Sequence, residues 1–193
     1  MLNIESARLS MTQLTKDDWA LFQRLHQDEK VIRYAFDKPE VEDIRRRFES
    51  RLPVWQWGSK HWLCLVIREQ WSGKAIGVTG LCVSEEGETD VEIGYMLLPE
   101  SHGLGYGTES LVALVRHVEQ NFPVEKISAI VTDGNIASRK VLEKCGFKLF
   151  ERPTPKPITI GLPERATTMR EGSLRSQHSA QTRRNFFSTC SGW

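Results

Sequence analysis

Glu92-Ile93-Gly94-Tyr95-Met96-Leu97-Leu98-Pro99-Glu100-Ser101-His102-Gly103-Leu104-Gly105-Tyr106-Gly107-Thr108 is the stretch that decides the fold. It reads as a strand that enters a loop with glycine at every second position and then a helix. Three glycines remove the Cβ atoms that restrict φ, so successive backbone N–H groups can converge on one point. That point is the start of a helix, where unpaired N–H groups and the positive end of the dipole favour an anion. A phosphate or diphosphate suits such a place; a glycine-rich turn that merely joins strand to helix is the plainer reading. Two familiar phosphate loops do not fit. No Lys-Ser or Lys-Thr follows Gly107, as a Walker loop requires, and a GxGxxG reading from Gly103 and Gly105 would need its third glycine at Thr108. The dinucleotide pattern also wants a parallel first βα unit, whereas an antiparallel meander precedes this loop.

A second informative segment is Asp133-Gly134-Asn135-Ile136-Ala137-Ser138-Arg139-Lys140-Val141-Leu142-Glu143-Lys144-Cys145-Gly146-Phe147. Asn135 and Ser138 stand three apart at a helix start, so their polar groups can share one face. A plain N-cap role for Asn135 is the competing reading. Outward from these segments, strand and helix signals alternate. Residues 4–13 carry a rough apolar alternation and suggest a first strand. Thr15 caps a helix with Asp17 and Asp18 in its first turn. Asp37 caps a second, with Pro39 in the first turn and Val41, Ile44 and Phe48 at helical spacing. Runs at 61–68, 74–83 and 89–98 have β character, with turns at Gly73 and Glu85-Glu86-Gly87-Glu88 between them. Residues 105–122 read as a helix, 126–131 as a strand, 136–144 as a helix ended by Gly146, and 147–150 as one more strand. The order β-α-α-β-β-β-α-β-α-β predicts an α/β sheet, antiparallel in its first half and crossover-connected in its second.

Composition sets the outer limits. With 193 residues, 39% hydrophobic and 26% charged, the chain suits one globular domain with something left over. The formal net charge of +1 provides no global field toward nucleic acid or anionic lipid. The longest apolar run, residues 62–67, is far short of the ~20 residues needed to span a bilayer. The opening residues show no secretory leader pattern, and Cys64, Cys82, Cys145 and Cys190 form no CxxC pair. A cytoplasmic protein with reduced cysteines and no metal is expected. Composition breaks near residue 152: Pro153-Thr154-Pro155-Lys156-Pro157 leads into a Ser-, Thr-, Arg- and Gln-rich stretch with more bases than acids. The expected organisation is a domain at 1–152 and an irregular basic tail at 153–193, a solvated tail being the plain reading and a nucleic-acid or partner arm the other.

Together the two segments resemble the GNAT superfamily of acetyl-CoA-dependent N-acetyltransferases. The superfamily's [Gln/Arg]-x-x-Gly-x-[Gly/Ala] loop falls on His102-Gly103-Leu104-Gly105-Tyr106-Gly107, with His102 in place of Gln or Arg. Asn135, Ser138 and Cys145-Gly146-Phe147 resemble the signature of the Rim-type branch (RimJ/RimL-like), as do the opening 7–18, Glu92-Ile93-Gly94-Tyr95 and Gly105-Tyr106-Gly107-Thr108-Glu109. The likeness spans about residues 3–151 in order. It implies a mixed, mostly antiparallel sheet flanked by helices, with splayed central strands.

The resemblance also implies roles. Backbone amides of Gly103, Leu104, Gly105, Tyr106, Gly107 and Thr108 would hold the CoA diphosphate, with His102 at the head of the loop. Leu97 and Leu98 would lie along the pantetheine arm, and Asn135 would bond it near the thioester. Glu92 is the candidate base for the attacking amine, against a solvated or ion-paired carboxylate. Ser138 is the candidate donor to the departing thiolate, against a capping hydroxyl. Many relatives carry a tyrosine seven residues after the Asn; here that position is Leu142.

Trp55, Trp57 and Trp62 could line the acceptor cleft beside Tyr34 and Phe36, or pack in the core. Arg45-Arg46-Arg47 reads as a solvated helix face. The superfamily ends on a two-strand hairpin, and prolines at 153, 155 and 157 interrupt that region. The expectation is therefore a replaced or frame-shifted C-terminus, with Ile158-Thr159-Ile160 the best remaining strand candidate.

Three functions compete. The leading one is acetyl transfer from acetyl-CoA to a primary amine, a protein N-terminus or a small molecule. A catalytically impaired acyl-CoA-binding module and an RNA- or ribosome-associated protein using the basic tail are the others. The expected partners are acetyl-CoA and an amine acceptor, with neither membrane nor nucleic acid, and a homodimer is left open.

Overall fold

The computed structural model describes residues 2–84, 89–150 and 158–161. One mixed sheet organises them, with strand order β1-β2-β3-β4-β5-β6-β8-β7: β1 Asn3–Glu5, β2 Leu9–Gln13, β3 Leu63–Glu69, β4 Ala75–Val83, β5 Asp90–Leu97, β6 Lys126–Val131, β7 Lys148–Phe150 and β8 Ile158–Gly161. Only β5 and β6 are parallel; every other neighbouring pair is antiparallel. Among the described residues five α-helices flank it: α1 Trp19–Gln27, α2 Glu29–Ile32, α3 Val41–Ser50, α4 Tyr106–Asn121 and α5 Ile136–Lys144. Among the described residues no helix is long and apolar enough to cross a membrane.

Two apolar layers follow from strand alternation. On one face Val91, Ile93 and Leu97 of β5 pack with Leu111, Leu114 and Val118 of α4. On the other, Met96 and Leu98 pack with Val66, Val78, Phe22, Ile44 and Phe48 beneath α1 and α3. Each fully buried leucine contributes about 2 kcal/mol of hydrophobic stabilisation. The first layer holds α4 against the middle of the sheet, which places the glycine loop at the end of β5.

The patterned elements fall where the periodicity predicts them: β6 and α5 match residue for residue. Gly146, at φ +89°, ends α5, with Phe147 N–H donating to Leu142 O at 3.1 Å. Three expectations need correction. The single first strand is a hairpin, because Ser6-Ala7-Arg8 turns the chain and Ser6 N–H donates to Leu9 O. The helix expected from Asp37 begins at Val41, with Glu40 as its N-cap. Pro39 lies before that helix rather than in its first turn, which keeps its missing N–H out of the helix ladder.

The third correction concerns the tail. Residues 158–161 form a strand inserted between β6 and β7, pairing Ile160 with both Ala129 and Leu149. The three prolines precede this strand instead of falling within it, so they cost its ladder nothing. The strand expected at Ile158-Thr159-Ile160 therefore forms, and its pairing along β7 overturns the expectation of a replaced or frame-shifted C-terminus. The remainder of the expected tail, and Cys190 with it, lies outside the described residues.

Candidate active site

The loop after β5 is built for external contact. A 3-10 turn at Pro99–Ser101 reverses the chain, and Ser101 N–H donates to Leu98 O at 2.9 Å. Gly103 (φ +75°) and Gly105 (φ +83°) then adopt the left-handed conformation that other residues avoid. Gly105 is itself the N-cap of α4 and brings no capping side chain. From Gly103 to Thr108, no backbone amide donates to a protein acceptor among the described residues; the helix ladder starts with Glu109 N–H to Gly105 O at 3.0 Å. Unpaired N–H groups at the positive end of a 16-residue helix form an anion site.

Side chains behind the loop fix its shape. Arg8 Nη1 donates to Leu104 O at 3.1 Å, and Arg8 Nε donates to Glu109 Oε2 at 2.7 Å. The guanidinium lies over the Tyr106 ring, 4.5 Å from its centre, and Tyr106 O–H donates to Glu69 at 3.0 Å. Burial alone would raise the Glu109 pKa, but bonds from the Ser6 hydroxyl, the Arg8 amide and the Arg8 guanidinium outweigh it and hold the carboxyl below its ordinary value. The anionic Glu109 near the helix start is thereby matched by Arg8. His102 closes the loop onto β5: its Nε2 lies 2.8 Å from Leu97 O, and a carbonyl only accepts, so the ring donates.

The sheet opens beside this loop. β5 and β6 pair only from Asp90 to Glu92 against Lys126 to Ser128. Leu98 N–H donates to Ile76 O at 2.9 Å, so the even-numbered backbone groups of β5 face β4. Those of Ile93, Tyr95 and Leu97 face the opened edge. Leu98, expected along that edge, therefore gives its amide to β4 instead.

A cavity of about 310 Å³ occupies the split. Residues from both faces of the sheet line it. Tyr34, Phe36, Arg47 and Glu92 line the side of α1–α3, and Tyr95, Leu111, Ser138 and Leu142 line the side of α4 and α5. Asn135 sits on the wall between Thr132 and Ser138.

At the start of α5, Asn135 Oδ1 accepts Ser138 N–H at 3.1 Å. Its side-chain oxygen is thus an N-cap, while its NH2 group remains a donor at the cavity wall. The Ser138 hydroxyl accepts the Tyr95 O–H at 3.2 Å. Burial is the largest influence on Tyr95 and pushes its phenol up to about 12, despite the opposing bond to Ser138. It stays a protonated donor at neutral pH.

Of the acceptor-side expectations, Tyr34 and Phe36 line the cavity and the three tryptophans do not. Trp57 stacks on Phe122 at 4.8 Å, Trp55 meets the same ring edge-on, and Trp62 packs with Cys82. Arg47 departs from the solvated face assigned to it: it lines the cavity with its guanidinium 5.2 Å from the Phe36 ring centre. Its place three residues after buried Ile44 was the available signal. Tyr95 was also missed, because no local pattern ties a strand phenol to a hydroxyl 43 residues away. Cys64 and Cys82 are buried free thiols, and Cys145 is half-buried and free. Among the described residues, no group of three or more His, Cys, Asp or Glu could hold a metal ion.

The family model described as an acetyltransferase (GNAT) domain matches residues 8–148. The uncharacterized N-acetyltransferase YoaA of Bacillus subtilis (strain 168) is 26% identical over 147 residues, covering 75% of this chain and 82% of YoaA. An acetyltransferase from Agrobacterium tumefaciens C58 shares the fold with TM-score 0.71 and 19% identity, over 85% of this chain and 95% of that one. The aminoglycoside acetyltransferase AAC(6')-Ib, solved in complex with coenzyme A, matches with TM-score 0.67 and 20% identity, over 81% and 95% respectively.

Proposed function

We propose that this chain, which belongs to the GNAT acetyltransferase family, moves the acetyl group of acetyl-CoA to a primary amine through the cavity at the split of β5 and β6. The observation that carries this reading is the run of unengaged amides from Gly103 to Thr108, aligned at the start of α4 beside the strand edge from which β6 has parted. The residues present fit the cosubstrate. Those amides would hold its diphosphate, the edge groups of Tyr95 and the N–H of Leu97 would pair with the amides of its arm, and the Asn135 NH2 would bond that arm near the thioester. The cosubstrate supplies the activated acetyl group; the rest is done by this chain.

Glu92 lines the acceptor side of the cavity and would take the proton released by the attacking amine. Ser138, on the opposite side, would donate a hydrogen bond to the departing sulfur. Such a division keeps the base and the leaving-group donor on separate faces of the sheet. Asn135, Ser138 and Cys145-Gly146-Phe147 support the Rim-type branch. The lining residues also bear on the acceptor. Among the described residues the lining carries one acid, Glu92, and one base, Arg47, and a lining without net charge does not gather a polycation. A monoamine fits better, either a protein N-terminus or a small molecule. An α-amine, with a pKa of about 8, demands little of its base.

A second reading, an acyl-CoA-binding module without turnover, is favoured by Leu142, which is buried and apolar where many relatives place a tyrosine. Release of free thiol from acetyl-CoA, followed across a panel of amines, separates the two. Turnover by the wild type, lowered about 100- to 1,000-fold in kcat by Glu92→Gln with CoA binding retained, is the expected result. CoA binding with no turnover on any amine would assign the module.

A further inference from the structure

We infer that Tyr95 is a positioning residue that acts through Ser138, directing the serine's hydrogen into the cavity at the sulfur of the thioester. The inference rests on the acetyl-transfer reading and names the device that serves it. A serine hydroxyl has one hydrogen and two lone pairs. On a helix it commonly turns that hydrogen back to the carbonyl four residues earlier. Ser138 makes no such bond; its own hydrogen meets no acceptor among the described residues, and one lone pair is filled by Tyr95 O–H at 3.2 Å. A donor on one side of the oxygen leaves the hydrogen to the other side, and Ser138 lines the cavity.

Tyr95 is placed for this task by several independent contacts. It stands on the open edge of β5, where β6 has already parted from the strand. The ring lies against α4 at Gly107, where a Cβ would come within 3.4 Å of Tyr95 Cε2, so the absent side chain makes room for it. Burial keeps the phenol protonated, and hence donating, well above neutral pH. One turn beyond Ser138, Leu142 offers no polar group. Among the described residues lining that side of the cavity, the hydroxyl donors are therefore Tyr95 and Ser138.

The proton balance is simple. The amine attacks the thioester carbonyl carbon and its proton goes to Glu92; the carbon–sulfur bond breaks with its electron pair on sulfur. Ser138 O–H donates a hydrogen bond to that sulfur while Tyr95 O–H donates to Ser138. Neither hydroxyl loses its proton, and the thiolate is protonated later by solvent.

The test is a double-mutant cycle on the full chain with acetyl-CoA and the best amine of the panel. Tyr95→Phe removes one oxygen and leaves the ring. It is expected to lower kcat about 10-fold with KM for acetyl-CoA within twofold of wild type, and to cost less than twofold more when added to Ser138→Ala. A merely structural role would instead lower the melting temperature and add its loss in both backgrounds. Equal losses in the two backgrounds, or an unchanged kcat in Tyr95→Phe, overturn the inference while leaving acetyl transfer standing. A wild type that binds CoA and acetylates no amine overturns both.

Discussion

The helices α4 and α5 start alike: each follows a strand, each is entered through a glycine at φ +83°, and each has its N-terminus at the split in the sheet. A shift of one residue separates their chemistry. In α4 the left-handed glycine, Gly105, is the N-cap itself, so no side chain competes for the first amides. In α5 the left-handed glycine, Gly134, comes one position earlier, and Asn135 takes the cap and binds Ser138 N–H. The first start leaves its donors for a ligand, and the second satisfies its own and presents a hydroxyl. Glycine at a helix start is thus not by itself an anion site; its position relative to the cap decides.

The largest effect expected is one that both starts must share. His26 is fully buried, stacked on Phe22 and Phe36, and its Nδ1–H donates to Phe22 O at 2.8 Å. Burial lowers its pKa from 6.5 to about 4. The unfolded chain therefore takes a proton first: stability is full above pH 6.5 and falls as the pH drops toward 4. The loss amounts to roughly 3 kcal/mol. Urea unfolding between pH 7 and pH 4 should show it, and His26→Gln should flatten the dependence. CoA binding should be lost in acid only as the fold is lost. Binding lost from a protein that is still folded would instead place a titration at the loop and break the symmetry of this control.

A sharper contrast comes from valine at the two glycines. Gly105→Val and Gly134→Val impose the same left-handed strain, on the order of 2 kcal/mol, and should lose similar stability in urea. Their affinities for CoA should differ. Gly105→Val is expected to weaken CoA about 30-fold by calorimetric titration, and Gly134→Val less than threefold. Equal weakening would mean that the loop amides are not the distinguishing feature. The smallest effect belongs to Asn135→Ala. Loss of the cap should cost about 1 kcal/mol of stability while CoA binds within a few-fold of wild type. A far larger loss of affinity would make Asn135 a principal ligand contact rather than chiefly a cap.

What could be read from the sequence divides along the same line. Both helix starts were legible because capping, glycine spacing and dipole arguments involve neighbours in the chain. The strands at residues 63–69, 75–83 and 90–97 were legible for the same reason, since alternation and turn residues are local. Contacts across the topology were not. Tyr95 meets Ser138 only because β5 and α5 are brought together by an α4 crossover that neither local pattern encodes. Arg8 meets Leu104 across 96 positions of sequence. The strand candidate at residues 158–160 was legible, but its pairing with β6 on one side and β7 on the other was not. The turn at Ser6-Ala7-Arg8 lacks the glycine or proline that usually marks one, so a hairpin read as a single strand.

Amide chemical shifts measured on the full chain during a titration with CoA test the central claim most directly. The signals of Gly103, Leu104, Gly105, Tyr106, Gly107 and Thr108 should move strongly downfield as their N–H groups take up the diphosphate, while the Ser138 amide, already bonded to Asn135, moves little. Saturable CoA binding that leaves the six loop signals in place would contradict the account.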